Sequence, residues 1–130
     1  MPILNEAVRA IIDGRNYATV ATVNPDGSPQ TSVVWCERDG DDLLFSTIKG
    51  RRKTRNMERD PRVSISILDS TDPYQYAELR GTVTITTEGG RELIDKLSNA
   101  YQGADFRADP EGTIRVVVRL TPEKVTGHAA

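Results

Sequence analysis

Residues 17–35 read YATVATVNPDGSPQTSVVW, and this stretch decides the fold. Tyr17 to Val23 is rich in β-branched side chains, which suit a pleated surface. Pro25-Asp26-Gly27 combines a fixed φ, a turn-forming carboxylate and a residue free to take positive φ, so the chain reverses there. Gln30 to Glu37 (QTSVVWCE) reads as the returning strand, with Trp35 and Cys36 on its opposite faces. Asp39-Gly40-Asp41-Asp42 turns again, and Leu43 to Ile48 (LLFSTI) makes a third strand. Two tight reversals in succession favour antiparallel pairing over a parallel sheet with helical crossovers.

Outward from this meander, Leu4, Ala7, Val8, Ile11 and Ile12 share one helical face, stopped by Gly14. Three later segments alternate as half-buried strands. Val63, Ile65 and Ile67 interleave with Ser64 and Ser66; Leu79, Gly81, Val83 and Ile85 interleave with Arg80, Thr82, Thr84 and Thr86; Ile114, Val116, Val118 and Leu120 interleave with Arg115 and Arg119. Thr121 to Val125 continues the last strand past a kink. Asp69 to Pro73 reads as a loop, followed by Tyr74 and Tyr76, and Gly103 to Gly112 as a polar loop. Thr87 is placed to cap a helix whose apolar stripe is Leu93, Ile94, Leu97, Ala100 and Tyr101. The expectation is a mainly β, α+β domain over residues 1–130: a six-stranded antiparallel barrel with two or three short flanking helices.

Composition removes many functions. A chain of 130 residues with 37% apolar and 28% charged residues is a single globular domain. One cysteine, Cys36, excludes an internal disulfide and any all-cysteine metal site. One histidine, His128 near the end, leaves no material for mid-chain triads or histidine metal clusters, so no metal ligand and no catalytic side chain is assigned. No apolar run approaches the ~20 residues of a membrane span, and Met1 to Glu6 lacks the pattern of a leader. A cytoplasmic protein is expected.

Charge is uneven. Residues 49–62 hold seven basic side chains (Lys49, Arg51, Arg52, Lys53, Arg55, Arg59, Arg62) and two acids (Glu58, Asp60), a local +5 in a chain of net charge −2. The remainder carries −7, and aromatic residues are 5% of the chain, which argues against nucleic acid as the partner. The segment closes before Pro61 as a loop and short helix, whose N-terminus and nearby Arg51 and Lys53 could converge on one phosphate. A solvated charged helix is the alternative. Ser46 and Thr47, at the strand end just before the island, sit where a ring system would give way to its phosphate tail.

The order of these segments resembles the split β-barrel flavin-binding superfamily, the pyridoxamine phosphate oxidase-like proteins. Within it the chain is most similar to the actinobacterial F420-dependent reductases. The stretches DGSPQTSVVW, RRKTRN followed by DPRVSISI, and YAELRGTVTI carry the likeness, which runs from the first helix to TPEKVTG. The resemblance implies that Gln30, Thr31, Ser32, Val33 and Val34 lie along an isoalloxazine or deazaflavin ring, and that Ser46, Thr47 and Ile48 continue the contact. It implies that Arg51 and Lys53 bind the phosphate, with Arg52 beside them and Asn56 one turn on. Tyr74 and Tyr76 would approach from the other subunit of a homodimer whose sites lie at the interface. The resemblance does not extend to the C-terminal segment that pyridoxamine phosphate oxidases use to hold their substrate, so conversion of pyridoxamine phosphate is not expected.

Seven cations suit coenzyme F420, whose phosphodiester leads into a polycarboxylate tail, better than FMN, which presents one phosphate. Arg52 and Arg55 are the expected readers of that tail. The expected activity is hydride transfer from reduced F420 to a small unsaturated or electrophilic substrate. The alternatives are an FMN-dependent oxidoreductase or flavin reductase, and a non-catalytic F420 carrier.

Overall fold

The computed structural model describes residues 3–130; Met1 and Pro2, part of the stretch read for a leader, lie outside the described residues. Helix α1 (Glu6–Asp13) precedes strands β1 (Ala18–Val23), β2 (Pro29–Val34), β3 (Glu37–Asp39) and β4 (Asp42–Ile48). Helix α2 (Arg52–Arg59), strands β5 (Arg62–Asp69) and β6 (Asp72–Thr86), helix α3 (Gly90–Gln102) and strand β7 (Arg115–Thr126) follow. The strands form one sheet in the order β2-β1-β5-β6-β7-β4-β3, antiparallel at every step. The sheet is an open, split barrel, with β2 and β3 at its edges.

The alternation read from the sequence sets the inner face. Val20, Phe45, Ile65, Leu79 and Val118 are fully buried, and α1 adds Val8, Ile11 and Ile12 to the same core. Asn5 caps α1 by accepting from the Val8 N–H at 2.8 Å. Ala7, expected on the buried face, is exposed. No helix among the described residues is long and apolar enough to cross a membrane.

Four further expectations are corrected. There are seven strands, not six, because the returning strand breaks at Trp35-Cys36. Tyr101 draws the chain out of the ladder there: its hydroxyl accepts from the Cys36 N–H at 3.3 Å and donates to the Asn16 carbonyl at 2.7 Å. Glu37 to Asp39 then pairs back on β4 as a separate short strand. Tyr74 and Tyr76 stand on β6, since that strand begins at Asp72, and Tyr76 pairs with Leu68. Thr87 does not cap α3; Gly89 does, in the left-handed region at φ 83°, with no side-chain bond. Ala100, placed on the α3 stripe, is exposed, and Ser98 takes a buried position beside Leu97, its hydroxyl on the Ala104 carbonyl at 2.6 Å.

The start of α3 is docked tightly. A Cβ on Gly90 would stand 2.5 Å from the Arg115 carbonyl carbon, so only glycine lets the helix approach β7 this closely. Ser46 of β4 donates to the Gly90 carbonyl at 2.9 Å. The kink expected in the last strand is a register shift opposite Arg80 and Gly81.

Candidate functional site

β4 runs through the Lys49-Gly50 turn directly into α2. Gly50 sits at φ 97°, a conformation that disfavours any side chain there. Helix α2 is unusual in burying polar residues. Lys53, Thr54, Asn56 and Met57 face inward, and Met57 is the one large apolar anchor among them. Hydrogen bonds do the rest. Thr54 donates to the Ile48 carbonyl at 2.7 Å, with Thr47 Oγ1 3.5 Å away. The Asn56 amide nitrogen donates to Thr22 and Asn24, each at 3.0 Å. Arg59 donates to the Val23 carbonyl.

The N-terminus of α2 is left open. Its N-cap is Arg51, which makes no side-chain cap, and its first turn holds no acid. Lys53 is 8% exposed, yet its amine has a single neutral partner, Ser32 Oγ at 3.1 Å. Burial, with the charge of Arg51 beside it, lowers the lysine below its ordinary value. A nearly buried ammonium without a counter-charge, beside an uncapped helix N-terminus, is chemically suited to a phosphate or another anion.

Other members of the basic island are already engaged. Lys49 pairs with Glu58 at 2.9 Å and Arg62 with Asp60 at 2.7 Å. Arg51, Arg52 and Arg55 are exposed and have no carboxylate partner among the described residues. The island is thus half scaffold and half free charge.

A cleft of about 220 Å³ adjoins Lys53, and it is walled by Val33, Val34, Trp35, Tyr17, Ile94 and Phe106. Its polar lining is Ser46, Arg51, Lys53, Arg107 and Arg115. Trp35 stacks on Tyr101 with centroids 5.5 Å apart and meets the Phe106 edge at 5.9 Å. Arg115 is bound to Asp109 at 2.7 and 3.0 Å and so is neutralised. Arg51, Lys53 and Arg107 remain as the uncompensated charges of the lining. Larger concavities lack this combination. One of about 570 Å³, lined by Ala21, Ser64, Arg80 and Lys124 among others, has no aromatic wall, and its Arg80 pairs with Glu78.

Val33, Val34, Ser46, Arg51 and Lys53 are brought together as expected, and Ser32 reaches the same place through Lys53. The other expected residues serve the scaffold or lie apart. Asn56 and Thr47 are buried clamps on α2, at 0% and 1% exposure. Ile48 lends α2 its carbonyl. Gln30 accepts from Thr22 at 2.5 Å, Thr31 is exposed, and neither lines the cleft. Arg52, Tyr74 and Tyr76 are also outside the lining. Tyr17, Trp35, Ile94, Phe106, Arg107 and Arg115 were not expected there; the adjacent Phe106-Arg107 pair in an otherwise polar loop was the available signal.

Residues 4–129 match the sequence model of the pyridoxamine 5'-phosphate oxidase family. A pyridoxine/pyridoxamine 5'-phosphate oxidase of Rubrobacter xylanophilus is 31% identical over 109 residues, covering 83% of this chain. The chain spans 45% of that curated relative's length. A solved structure described as an F420 reductase matches with a TM-score of 0.85 and 31% identity, over 95% of this chain and 98% of that one. The General Stress Protein 26 of Bacillus anthracis shares the fold at 21% identity, with a TM-score of 0.70 over 92% of this chain and 89% of its own.

Proposed function

The chain belongs to the pyridoxamine 5'-phosphate oxidase family, and from that premise we propose that it is an F420-dependent reductase. The observation that carries this reading is the set of charges without partners. Arg51, Lys53 and Arg107 line one cleft, with Arg52 and Arg55 exposed on α2, more than one phosphate requires. The match to a structure described as an F420 reductase, over nearly the full length of both chains, supports it.

In this reading Lys53, Arg51 and the first turn of α2 hold the phosphate, while Val33, Val34 and Trp35 lie against the ring. When bound, reduced deazaflavin would supply the hydride for a small unsaturated or electrophilic substrate. The lining supplied by this chain holds no histidine and no carboxylate, so in this reading its part is to bind and orient, and the proton comes from solvent or a polar side chain.

The reading includes a homodimer with its sites at the interface. The cleft, at about 220 Å³, is smaller than the ~300–1,000 Å³ of usual ligand pockets, which agrees with a second subunit completing the enclosure of the ring. Tyr17, Val33, Leu68, Tyr74 and Tyr76 are large apolar side chains left exposed, and a partner copy would cover them.

The test is a titration of the purified protein with F420 and FMN side by side, read by quenching of Trp35, the chain's only tryptophan. Tighter binding of F420 supports the proposal, and tighter binding of FMN moves the assignment to a flavin-dependent oxidoreductase. Turnover of reduced F420 with a panel of enones and quinones separates a reductase from a carrier.

A further inference from the structure

The segment between α3 and β7 has no regular structure, yet it is held more firmly than a surface loop needs. Arg91 donates to the carbonyls of Phe106 at 2.7 Å and Arg107 at 2.9 Å, and also to Asp95 and Asp109. Asp95 in turn accepts the Phe106 N–H at 3.0 Å. Asn99 binds Asp105 at 2.6 Å, and Arg115 grips Asp109 through both of its carboxylate oxygens. These bonds hold Phe106 close to two guanidinium groups, Arg107 at 4.7 Å and Arg115 at 4.9 Å from its ring centroid, and in a T-shaped contact with Trp35.

One of those two cations is matched and the other is not. Arg115 has Asp109. Arg107 is exposed, has no carboxylate within ion-pair distance among the described residues, and lines the cleft that also holds Lys53 and Arg51. Arg52 and Arg55, expected from the sequence to read an extended tail, do not line it.

Resting on the cofactor reading above, we propose that this loop is a fixed arm of the binding cleft, and that Arg107 engages the carboxylate-bearing chain beyond the ligand's phosphate. Phosphate binding belongs to α2, and discrimination between a short and a long anionic ligand belongs to the loop. Asp109 is a positioning residue: through Arg91 and Arg115 it holds Phe106 and Arg107 at the cleft before any ligand arrives.

The experiment compares three ligands: F420, F420 stripped of its glutamates, and FMN. Each is titrated by Trp35 quenching, at low and high salt, into wild type, Arg107→Ala, Arg107→Lys and Asp109→Asn. Arg107→Ala should weaken F420 about three- to fivefold at low salt, the effect of one solvent-exposed charge contact, and shift the other two ligands less than about twofold. The loss should shrink at high salt, and Arg107→Lys should restore most of the affinity. Asp109→Asn should speed tryptic cleavage after Arg107 in the ligand-free protein. Equal losses for all three ligands, or none, would overturn the assignment of Arg107, and unchanged cleavage would overturn the fixed arm. If wild type binds none of the three, both this inference and the cofactor reading fail; if wild type binds and Arg107→Ala matches it throughout, this inference fails alone.

Discussion

Lys53→Met separates what the protein keeps for stability from what it keeps for binding. The amine is 8% exposed and meets only Ser32 Oγ at 3.1 Å, so folding strips most of its water and returns one neutral hydrogen bond. Methionine has a similar length and no charge. Replacing a poorly compensated buried charge by an apolar side chain of like volume is often stabilising, and the residual exposure limits the gain here to about 1 kcal/mol. The apo-protein should therefore melt roughly 4 °C higher. Losing the charge-assisted phosphate contact proposed for Lys53 should cost about 1.5–3 kcal/mol, or roughly ten- to hundredfold in affinity for F420 and FMN alike. The lysine's folded pKa lies below its ordinary 10.5 because burial and Arg51 disfavour the charged form. The penalty is therefore fully present below the folded pKa and vanishes as pH approaches 10.5, so the stability gap between variant and wild type should close over that alkaline interval. Urea unfolding followed by Trp35 fluorescence, repeated at several pH values, measures the gap. A variant destabilised by more than about 1 kcal/mol with unaltered affinity would refute the reasoning and make the lysine a structural donor to Ser32.

Asn56→Ala should cost about 2 kcal/mol in urea unfolding, because Thr22 and Asn24 lose their donor, while the ratio of F420 to FMN affinity stays unchanged. Gly90→Val should destabilise by roughly 2–3 kcal/mol, since its Cβ would stand 2.5 Å from the Arg115 carbonyl carbon; thermal denaturation reads it. Cys36, whose thiol is pushed up to about 12 by burial, should resist aromatic disulfide reagents at pH 8 in the native protein and react once urea unfolds it. The Asp60 carboxyl is held at about 2, chiefly by its hydrogen bond to the Arg62 side chain, so its contribution is present above 3.8 and lost as pH falls through about 2. Carboxyl-resolved NMR titration of Arg62→Ala should find Asp60 moved back toward 3.8. In the homodimer proposed above the wild type should scatter as twice the chain mass, and Leu68→Lys, on the exposed face, should shift that mass toward one chain.

The strands were legible because each depends on its own alternation. Val63 to Ile67 and Val116 to Leu120 bury the residues that their period-two pattern selects, while Ile114, read as part of the last strand, lies just before β7 and is exposed. The break at Trp35-Cys36 was not legible, because it is made by Tyr101, far along the chain on α3. The aromatic and loop walls of the cleft were hidden for the same reason. Phe106 reaches Trp35 only after Gly90 has let α3 settle on β7 and Arg91 has tied down the loop beyond it. The α2 residues show a different limit. Lys53 and Asn56 lie three apart on a short polar helix, and the sequence marked both as ligand contacts. With Met57 as its one buried large apolar side chain, the helix must be fastened by hydrogen bonds, and Asn56, Thr54 and Thr47 are consumed in doing so. Lys53 is the inward-facing α2 residue left with spare bonding capacity, since its ammonium can donate three bonds and makes one. Unspent capacity at a nearly buried charge, rather than polarity at the right spacing, separates Lys53 from the clamps of this helix and makes it the α2 residue to test as a ligand contact.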